Sequence, residues 1–413
     1  MDQQFIDGSW KRKFALLWIG QFFSLISSSA VNFAIIIYLS IQTQSAEVLA
    51  FSAIAGLLPQ ALIGPFAGVF IDRWNRKKAM IYADGFVAVC TLIMSASFYL
   101  GFESLLLIYV MLALRSIGSA FHMPAMQASI PMLAPESELL SIAGINQIIQ
   151  SISSIAGPAI GALAIGLMPI GTVLLLDVMG AVFAITTLLF IAIPNPIKKE
   201  NVPSEGIKQV WNDLHLGFQE IHTNKGLRML FFYSVVAMFC IMPVAVLFPL
   251  LTIQHFNGDK FEMSVIEIVW GVGMLVGGGV LGIWKPKIKK VVLINIMNII
   301  IGITFSWSGL LDPSQFIMFA VLTAIGGVAA AMYNASFTTI IQEEIQPQML
   351  GRVFSLYYSV VIIPSVFGLL STGFVADFIG IKQTFIWLGI VVSFVGIIAF
   401  FTPSLMRLGN LRR

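Results

Sequence analysis

Long apolar segments are the feature of this sequence that constrains the fold most. A membrane-spanning helix needs about 20 mostly apolar residues, and twelve segments of the sequence meet that length. Backbone groups in lipid must be hydrogen-bonded internally, and a barrel would show alternating segments of ~10 residues, so helices are predicted. The predicted spans are Phe14–Leu39, Ala46–Ile71, Ala79–Leu100, Leu105–Ala125, Leu139–Gly166, Ile170–Ile193, Leu227–Leu251, Ser264–Trp284, Val291–Leu311, Gln315–Ile341, Val353–Ala376 and Gln383–Thr402.

The scarcity of charge supports this all-α integral membrane class. Charged residues make up 10% of the chain, against roughly 25% in soluble globular proteins. The net charge of +3 gives no reason to expect nucleic-acid binding, because the positive residues lie at the edges of the spans. The two cysteines, Cys90 and Cys240, lie inside apolar segments and are interpreted as small core residues.

The basic residues predict the orientation. With both termini in the cytoplasm, all but Lys260, Lys382 and Arg115 of the 23 Lys and Arg residues fall on the cytoplasmic side. Lys260 and Lys382 then lie outside, and Arg115 lies within the membrane. Basic residues concentrate in cytoplasmic loops of membrane proteins, so we predict a multi-pass cell-membrane protein with cytoplasmic termini.

A polar stretch divides the spans into two sets of six. The predicted organisation is an N-terminal six-helix bundle at residues 1–193, a cytoplasmic linker at 194–226 and a C-terminal six-helix bundle at 227–413. Apolar residues recur at helical spacing within the linker, which predicts an amphipathic helix, either a plain connector or a regulatory element. They are Ile207, Val210, Trp211, Leu214, Phe218 and Ile221. A shift of about 210 residues aligns parts of the two halves, as expected of pseudo-symmetric transporters.

The loop between the second and third spans carries an acid followed by four basic residues. It resembles the loop signature of the major facilitator superfamily, Gly-x-Leu-x-Asp-Arg-x-Gly-Arg-Lys-x-x-Leu. The matching positions are Gly68, Asp72, Arg73, Arg76, Lys77 and Met80. Asn75 replaces the second glycine of the pattern. Asparagine is a frequent non-glycine residue in left-handed backbone, so a tight turn is predicted there.

The resemblance implies the twelve-helix major facilitator fold and a role for this loop. In the family the loop acid is thought to face the eleventh span from the other half. Gly68, Asp72, Arg73 and Arg76 would then form a latch for one conformational state. The alternative is a topology signal made of solvated basic residues, which suits Lys77 and Lys78 better than Asp72.

Two further motifs narrow the resemblance. The fifth span carries Gly157, Pro158 and Gly161 in a pattern similar to the antiporter motif Gly-x-x-x-Gly-Pro-x-x-Gly-Gly of drug exporters. The fourth span carries Arg115 in a pattern that resembles the superfamily motif whose arginine is thought to serve proton coupling. Longer runs, such as Leu350–Leu356, resemble the bacterial macrolide-efflux proteins of the superfamily.

The resemblance implies a secondary active transporter rather than an enzyme. It would export hydrophobic or amphiphilic, macrolide-like drugs in exchange for protons by alternating access. The expected partners are the substrate, protons and the lipid bilayer; the chain is expected to be monomeric and to need no cofactor beyond the proton gradient. The alternative is a transporter of another cargo, such as a lipid, siderophore or sugar, with import as a second option for its direction. A membrane enzyme or receptor is disfavoured because the sequence offers no metal-ligand cluster, no Ser/His/Asp set and no soluble domain.

Ionisable residues inside the spans are candidates for proton coupling. A charge at the bilayer centre costs ~2.5–3.5 kcal/mol on insertion scales, so such residues are functional by default. Asp177 and Glu267 are alternative candidates for the proton carrier. The competing interpretation of Asp177 is a structural role, as the partner of Arg115 or of a helix end. Asp84 is a third candidate, although membership of the basic loop cluster is favoured for it. His122 is interpreted as a packed histidine.

A substrate cavity between the two halves is predicted from polar stripes and soft apolar residues. In lipid, polar stripes should face the interior of a bundle, and Met and aromatic side chains suit bulky amphiphiles. Plain core packing is the alternative for each aromatic residue. The candidates are Gln21, Ser28, Asn32, Asn146, Gln150, Met238, Met242, Trp270, Tyr333, Asn334, Tyr357 and Tyr358.

Overall fold

The computed structural model describes residues 9–71, 74–133, 139–193, 206–284, 288–345 and 350–408, and the regular structure within these ranges is helical. The helices are α1 (Ser9–Thr43), α2 (Ala46–Ile71), α3 (Arg76–Tyr99), α4 (Leu105–Leu133), α5 (Leu139–Leu167), α6 (Ile170–Leu189), α7 (Gly206–Thr223), α8 (Lys225–Gln254), α9 (Lys260–Trp284), α10 (Lys290–Leu310), α11 (Phe316–Glu344), α12 (Leu350–Ile379), α13 (Ile381–Phe400) and α14 (Pro403–Met406).

Helices α1–α6 and α8–α13 fall on the twelve predicted spans, so the all-α membrane class is confirmed. Among the described residues, ten of these helices are long and apolar enough to cross a membrane. In the other two, α5 and α12, shorter apolar stretches were found, Ile155–Leu167 and Pro364–Ile379. The helix α7 lies between the two sets of six, and the short helix α14 was not predicted.

The chain forms two compact units. One comprises Met1–Tyr38 and Ala55–Val210, here called unit 1; the other comprises Leu39–Ile54 and Trp211–Arg413, here called unit 2. The boundary at residues 54 and 55 lies inside α2, so this single helix begins in unit 2 and continues in unit 1.

In unit 1, α3 packs against α4 and α6. One apolar cluster includes Leu17 and Trp18 of α1, Met80 of α3 and Met126 of α4, all of them buried. Other large apolar side chains stay exposed, such as Leu167, which is 82% exposed. Exposed apolar side chains on a spanning helix suit lipid contact, because lipid tails are as apolar as the side chains themselves.

In unit 2, aromatic packing joins four helices. The ring of Phe248 in α8 stacks on Phe319 of α11 at 5.8 Å between centroids, and it meets Phe305 and Phe385 edge-on at 5.9 and 5.4 Å. The helices α10 and α13 pack backbone to backbone, since a Cβ added to Gly302 would lie 2.4 Å from the Gly389 carbonyl oxygen.

The start of α3 corrects one expectation. Asn75 has φ −67° and ψ 106°, which is extended backbone, so the predicted left-handed turn at this residue is wrong. Its side-chain oxygen instead accepts a hydrogen bond of 2.9 Å from the Lys78 amide, which makes it the N-cap of α3. Asparagine is among the preferred N-cap residues because its side chain satisfies an otherwise unpaired helical N–H group.

Candidate functional site

A buried ion pair joins α4 and α6 inside unit 1. Arg115 of α4 is 5% exposed and Asp177 of α6 is 1% exposed. The Arg115 Nη1 atom lies 2.6 Å from Asp177 Oδ2, a charge-assisted hydrogen bond. Both side chains come from predicted membrane spans, where an unpaired charge would be costly. Because the two charges lie side by side, each compensates the other and neither is left unpaired in an apolar environment.

Hydroxyl and amide groups from other helices complete this network. Thr91 of α3 donates a hydrogen bond of 2.8 Å to Asp177 Oδ2, and Ser28 of α1 donates to Asp177 Oδ1. On the other side of the pair, Asn32 Oδ1 accepts a hydrogen bond of 3.2 Å from Arg115 Nη2. Five side chains from α1, α3, α4 and α6 thus form one polar network inside unit 1. The sequence had singled out Arg115 and Asp177 as proton-coupling candidates and Ser28 and Asn32 as cavity candidates, and it had missed Thr91.

A second buried pair joins α3 and α4. His122 Nε2 lies 3.3 Å from Asp84 Oδ1, within ion-pair distance, although the contact falls short of hydrogen-bond geometry. Asp84 Oδ2 accepts no hydrogen bond from any residue that the structure describes. The described partner of Asp84 is therefore a histidine of the neighbouring helix rather than Arg76 of the loop.

Glu267 lies in α9, one turn before Trp270, and has a different environment. Its side chain is partly buried. Within the described part of the chain, no residue forms a hydrogen bond or an ion pair with its carboxylate. Glu267 therefore differs from Asp177, whose two oxygens each accept hydrogen bonds.

The predicted latch is described only in part. Asp72 and Arg73 lie outside the described residues, and Gly68 lies in α2. Arg76 of α3 donates a hydrogen bond of 2.9 Å to the Ala128 carbonyl oxygen and also contacts Met132. The guanidinium of Arg76 therefore ties the start of α3 to the end of α4, and the latch role stays a prediction.

The antiporter-like motif brings α5 against α1. A Cβ added to Gly161 would lie 2.3 Å from the Ala30 carbonyl oxygen, and one added to Gly157 would lie too close to Ser29. Pro158 lies inside α5 between these two contacts. Small residues at these positions let the two helix backbones approach closely.

The other predicted cavity residues are spread over both units. In unit 1, Gln21 is fully buried with no described partner for either amide atom, and Asn146 Oδ1 is likewise unpaired within the described ranges. In unit 2, Tyr333 is 1% exposed and donates a hydrogen bond of 2.8 Å to Ser234, so its ring belongs to the core. Asn334 is exposed, whereas Met238, Met242, Trp270 and Tyr357 are partly buried. The side chains of Gln150 and Tyr358 lie outside the described set.

No group of three or more His, Cys, Asp or Glu side chains within the described ranges could hold a metal ion.

Comparison with known proteins decides the family. The family model of the Major Facilitator Superfamily matches residues 17–310 and 230–409, which together cover most of the chain. The chain belongs to the major facilitator superfamily. As a member of this family it is a multi-pass membrane transporter and not an enzyme, as the sequence predicted.

Curated relatives and solved structures agree with this assignment. Macrolide efflux protein A of Streptococcus pyogenes is 37% identical over 392 residues, covering 94% of this chain and 96% of the relative. Macrolide efflux protein A of Enterococcus faecalis is 38% identical over 327 residues, covering 79% and 99%. The structure of a bacterial homologue of the human lysosomal transporter Spinster matches with a TM-score of 0.75 at 13% identity, covering 97% and 98%. At that identity the match supports the fold alone.

Proposed function

We propose that this superfamily member exports hydrophobic or amphiphilic drugs, macrolide-like in size and chemistry, in exchange for protons by alternating access. The observation that carries the proposal is the likeness to macrolide efflux protein A, which extends over 94% of the chain at 37% identity. The close contact of α5 with α1 at Gly161 adds support, because it gives the antiporter-like motif a structural role. The alternative is that the protein carries a lipid, siderophore or sugar. The vesicle assay below distinguishes this alternative from macrolide export.

The proposal includes the membrane, the orientation and the energy source. The protein lies in the cell membrane with both termini in the cytoplasm, and it acts as a monomer. The proton gradient supplies the energy, with no cofactor. The basic residues that flank the spans support this orientation.

Of the two alternative proton carriers, Asp177 and Glu267, we assign the proton to Glu267. Asp177 is held by a cation 2.6 Å away and by two hydroxyl donors. A proton on Asp177 would displace Arg115 and leave that cation buried and unpaired, which is costly. Glu267 can take up a proton without breaking an ion pair with any described residue. Arg115 and Asp177 then hold α4 and α6 together while Glu267 cycles between its charged and neutral forms.

Substrate-dependent proton movement tests the transport reaction. Inverted vesicles that contain the protein are loaded with a pH-sensitive dye and energised, and a macrolide or an unrelated amphiphile is added. The proposal expects proton release from the lumen when a macrolide is added, and none in vesicles without the protein. A flat response to every macrolide, with a response to a sugar or a lipid instead, would assign the cargo to the alternative.

Two variants on one helix test the role of Glu267. Glu267→Gln is expected to abolish uphill accumulation of substrate while substrate still moves down its own gradient, because a glutamine cannot carry the proton. The matched control is Glu262→Gln in the first turn of α9, where Glu262 Oε2 accepts a hydrogen bond of 2.9 Å from the Asp259 amide. A glutamine keeps that acceptor, so uphill transport should persist in the control. Uphill transport by Glu267→Gln at the normal rate contradicts the assignment.

A further inference from the structure

Within unit 1, a cavity of about 590 Å³ runs along α3 and the neighbouring face of α4. Its volume lies within the ~300–1,000 Å³ typical of small-molecule sites. The residues that line it include Trp74, Lys78, Tyr82, Phe86, Gly118 and Phe121. None of these six belongs to the polar network around Arg115, so the cavity is separate from the candidate proton-coupling groups.

Small and aromatic residues give the cavity its shape. Gly118 lets α3 pack closely against α4 beside the cavity, because a Cβ at this residue would lie 2.7 Å from Val87 Cγ2 of α3. The rings of Trp74 and Phe121 stack at one end, with 6.0 Å between centroids and 11° between planes. Tyr82 is 71% exposed. The result is an apolar groove that opens to the outside of the helix pair.

A single cation, Lys78, lines the groove among these residues. Its neighbours are engaged elsewhere, since Arg76 donates to the Ala128 carbonyl and Lys77 Nζ donates to the Leu189 and Ile191 carbonyls at 3.1 and 2.9 Å. Lys78 is exposed, and its ammonium meets no acceptor among the described residues. The groove thus combines apolar walls with one positive charge that pairs with none of the described residues.

We propose that this groove binds an anionic phospholipid of the cytoplasmic leaflet, with its phosphate at Lys78 and one acyl chain along the aromatic wall. Basic pockets between spanning helices on the cytoplasmic side suit anionic lipid headgroups, and Trp and Tyr concentrate at membrane interfaces. A cationic amphiphile would be repelled by Lys78, which favours a lipid over a basic drug as the occupant. The leaflet, though not the lipid chemistry, rests on the orientation proposed above.

Quenching of Trp74 fluorescence by brominated lipid tests the proposal without a gradient or a substrate. The full-length protein is placed in phosphatidylcholine nanodiscs that contain the same small fraction of brominated phosphatidylglycerol or of brominated phosphatidylcholine. The chain has eight tryptophans, so the Trp74 contribution is the difference between the wild type and Trp74→Phe. We expect the anionic lipid to quench Trp74 at about a fivefold lower mole fraction, the preference that one lysine near the surface supplies.

Two lysine variants make the test specific. In Lys78→Gln, both brominated lipids should quench Trp74 equally. Lys289 is an exposed lysine that precedes α10 in unit 2, and Lys289→Gln should keep the preference for the anionic lipid. Equal quenching of wild-type Trp74 by both lipids would overturn the proposal, as would equal loss of the preference in both variants. Displacement of the lipid by a macrolide, to the same degree in the wild type and in Lys78→Gln, would instead make the groove a substrate site. A failed efflux assay would leave these readings unchanged.

Discussion

At the scale of single residues, Asp177 is the most heavily bonded acid among those described within the spans. Its carboxylate accepts hydrogen bonds from Ser28, Thr91 and Arg115, which come from three other helices. A buried ion pair contributes little net stability relative to apolar residues of the same size, but removal of one partner leaves the other charge uncompensated. Loss of Asp177 should therefore harm the protein more than loss of the whole pair.

The first prediction compares single and paired neutralisation. Asp177→Asn should lower the free energy of unfolding by about 3–5 kcal/mol, because Arg115 then stays charged and buried without its counter-ion. Arg115→Gln combined with Asp177→Asn should cost clearly less, since no charge is left unpaired. Denaturant unfolding of the purified protein in detergent measures both. A double variant less stable than Asp177→Asn would show that the charges themselves are not the cause.

The sequence predicted the charged members of this network and missed Thr91, one of its three neutral members. Charges inside spans are few, so Arg115 and Asp177 could be singled out as a possible pair. Thr91 is one of many hydroxyl residues in the spans, and nothing in its sequence neighbourhood indicates that α3 places it between α4 and α6. The contact of Asp84 with His122 was missed for the same reason, because it depends on how α3 packs against α4.

At the scale of helices, two close contacts fix the positions of α5 and α2. In unit 1, Gly161 brings α5 against the backbone of α1. In unit 2, Asp377 of α12 accepts hydrogen bonds from the Ala46 and Glu47 amides at 2.9 and 3.2 Å and from the Ser45 hydroxyl at 3.0 Å. Asp377 thus caps the N-terminus of α2 from a helix distant in sequence. The antiporter-like motif supplies the glycine of the first contact, and no local pattern predicts a cap supplied from so far along the chain.

The second prediction uses two glycines of α5. Gly161→Ala should destabilise the protein by about 1–3 kcal/mol, because the added Cβ must push away the backbone of α1 at Ala30. Gly166→Ala is the matched control, since a Cβ there meets nothing within 4 Å. Alanine also favours the helix relative to glycine, so the control should be neutral or slightly more stable. Thermal unfolding of both variants measures the difference. Equal changes in stability would show that the close contact at Gly161 does not contribute to stability.

The third prediction concerns the cap on α2. Asp377→Ala should raise the hydrogen-exchange rates of the Ala46 and Glu47 amides about fivefold, because loss of an N-cap costs ~1 kcal/mol. Asp377→Asn keeps an acceptor oxygen for one of these two amides, so it should raise the exchange rates less than Asp377→Ala does. Hydrogen exchange read by mass spectrometry on peptides that cover the start of α2 provides the measurement. Equal acceleration in both variants would mean that the negative charge matters more than the cap.

At the scale of the whole molecule, a lysine in each unit connects the start of one helix to the end of another. In unit 1, Lys77 at the start of α3 donates to the carbonyls at and beyond the end of α6. In unit 2, Lys290 at the start of α10 pairs with Glu343 at the end of α11 at 2.8 Å. Each contact joins helix ends that the predicted topology places on the cytoplasmic side. Composition and the lengths of the apolar segments were enough to predict the all-α membrane class, because that class depends on local hydrophobicity.

The fourth prediction tests this orientation directly. Lys260 precedes the membrane-spanning part of α9 on the predicted outer side, and Lys289 precedes α10 on the predicted cytoplasmic side. A membrane-impermeant maleimide added to intact cells should therefore label Lys260→Cys at once and Lys289→Cys only after permeabilisation. The native cysteines, Cys90 and Cys240, are both buried, so the wild type should give a low background. Labelling of Lys289→Cys in intact cells would reverse the orientation, and the phospholipid groove beside Lys78 would then face the outer leaflet.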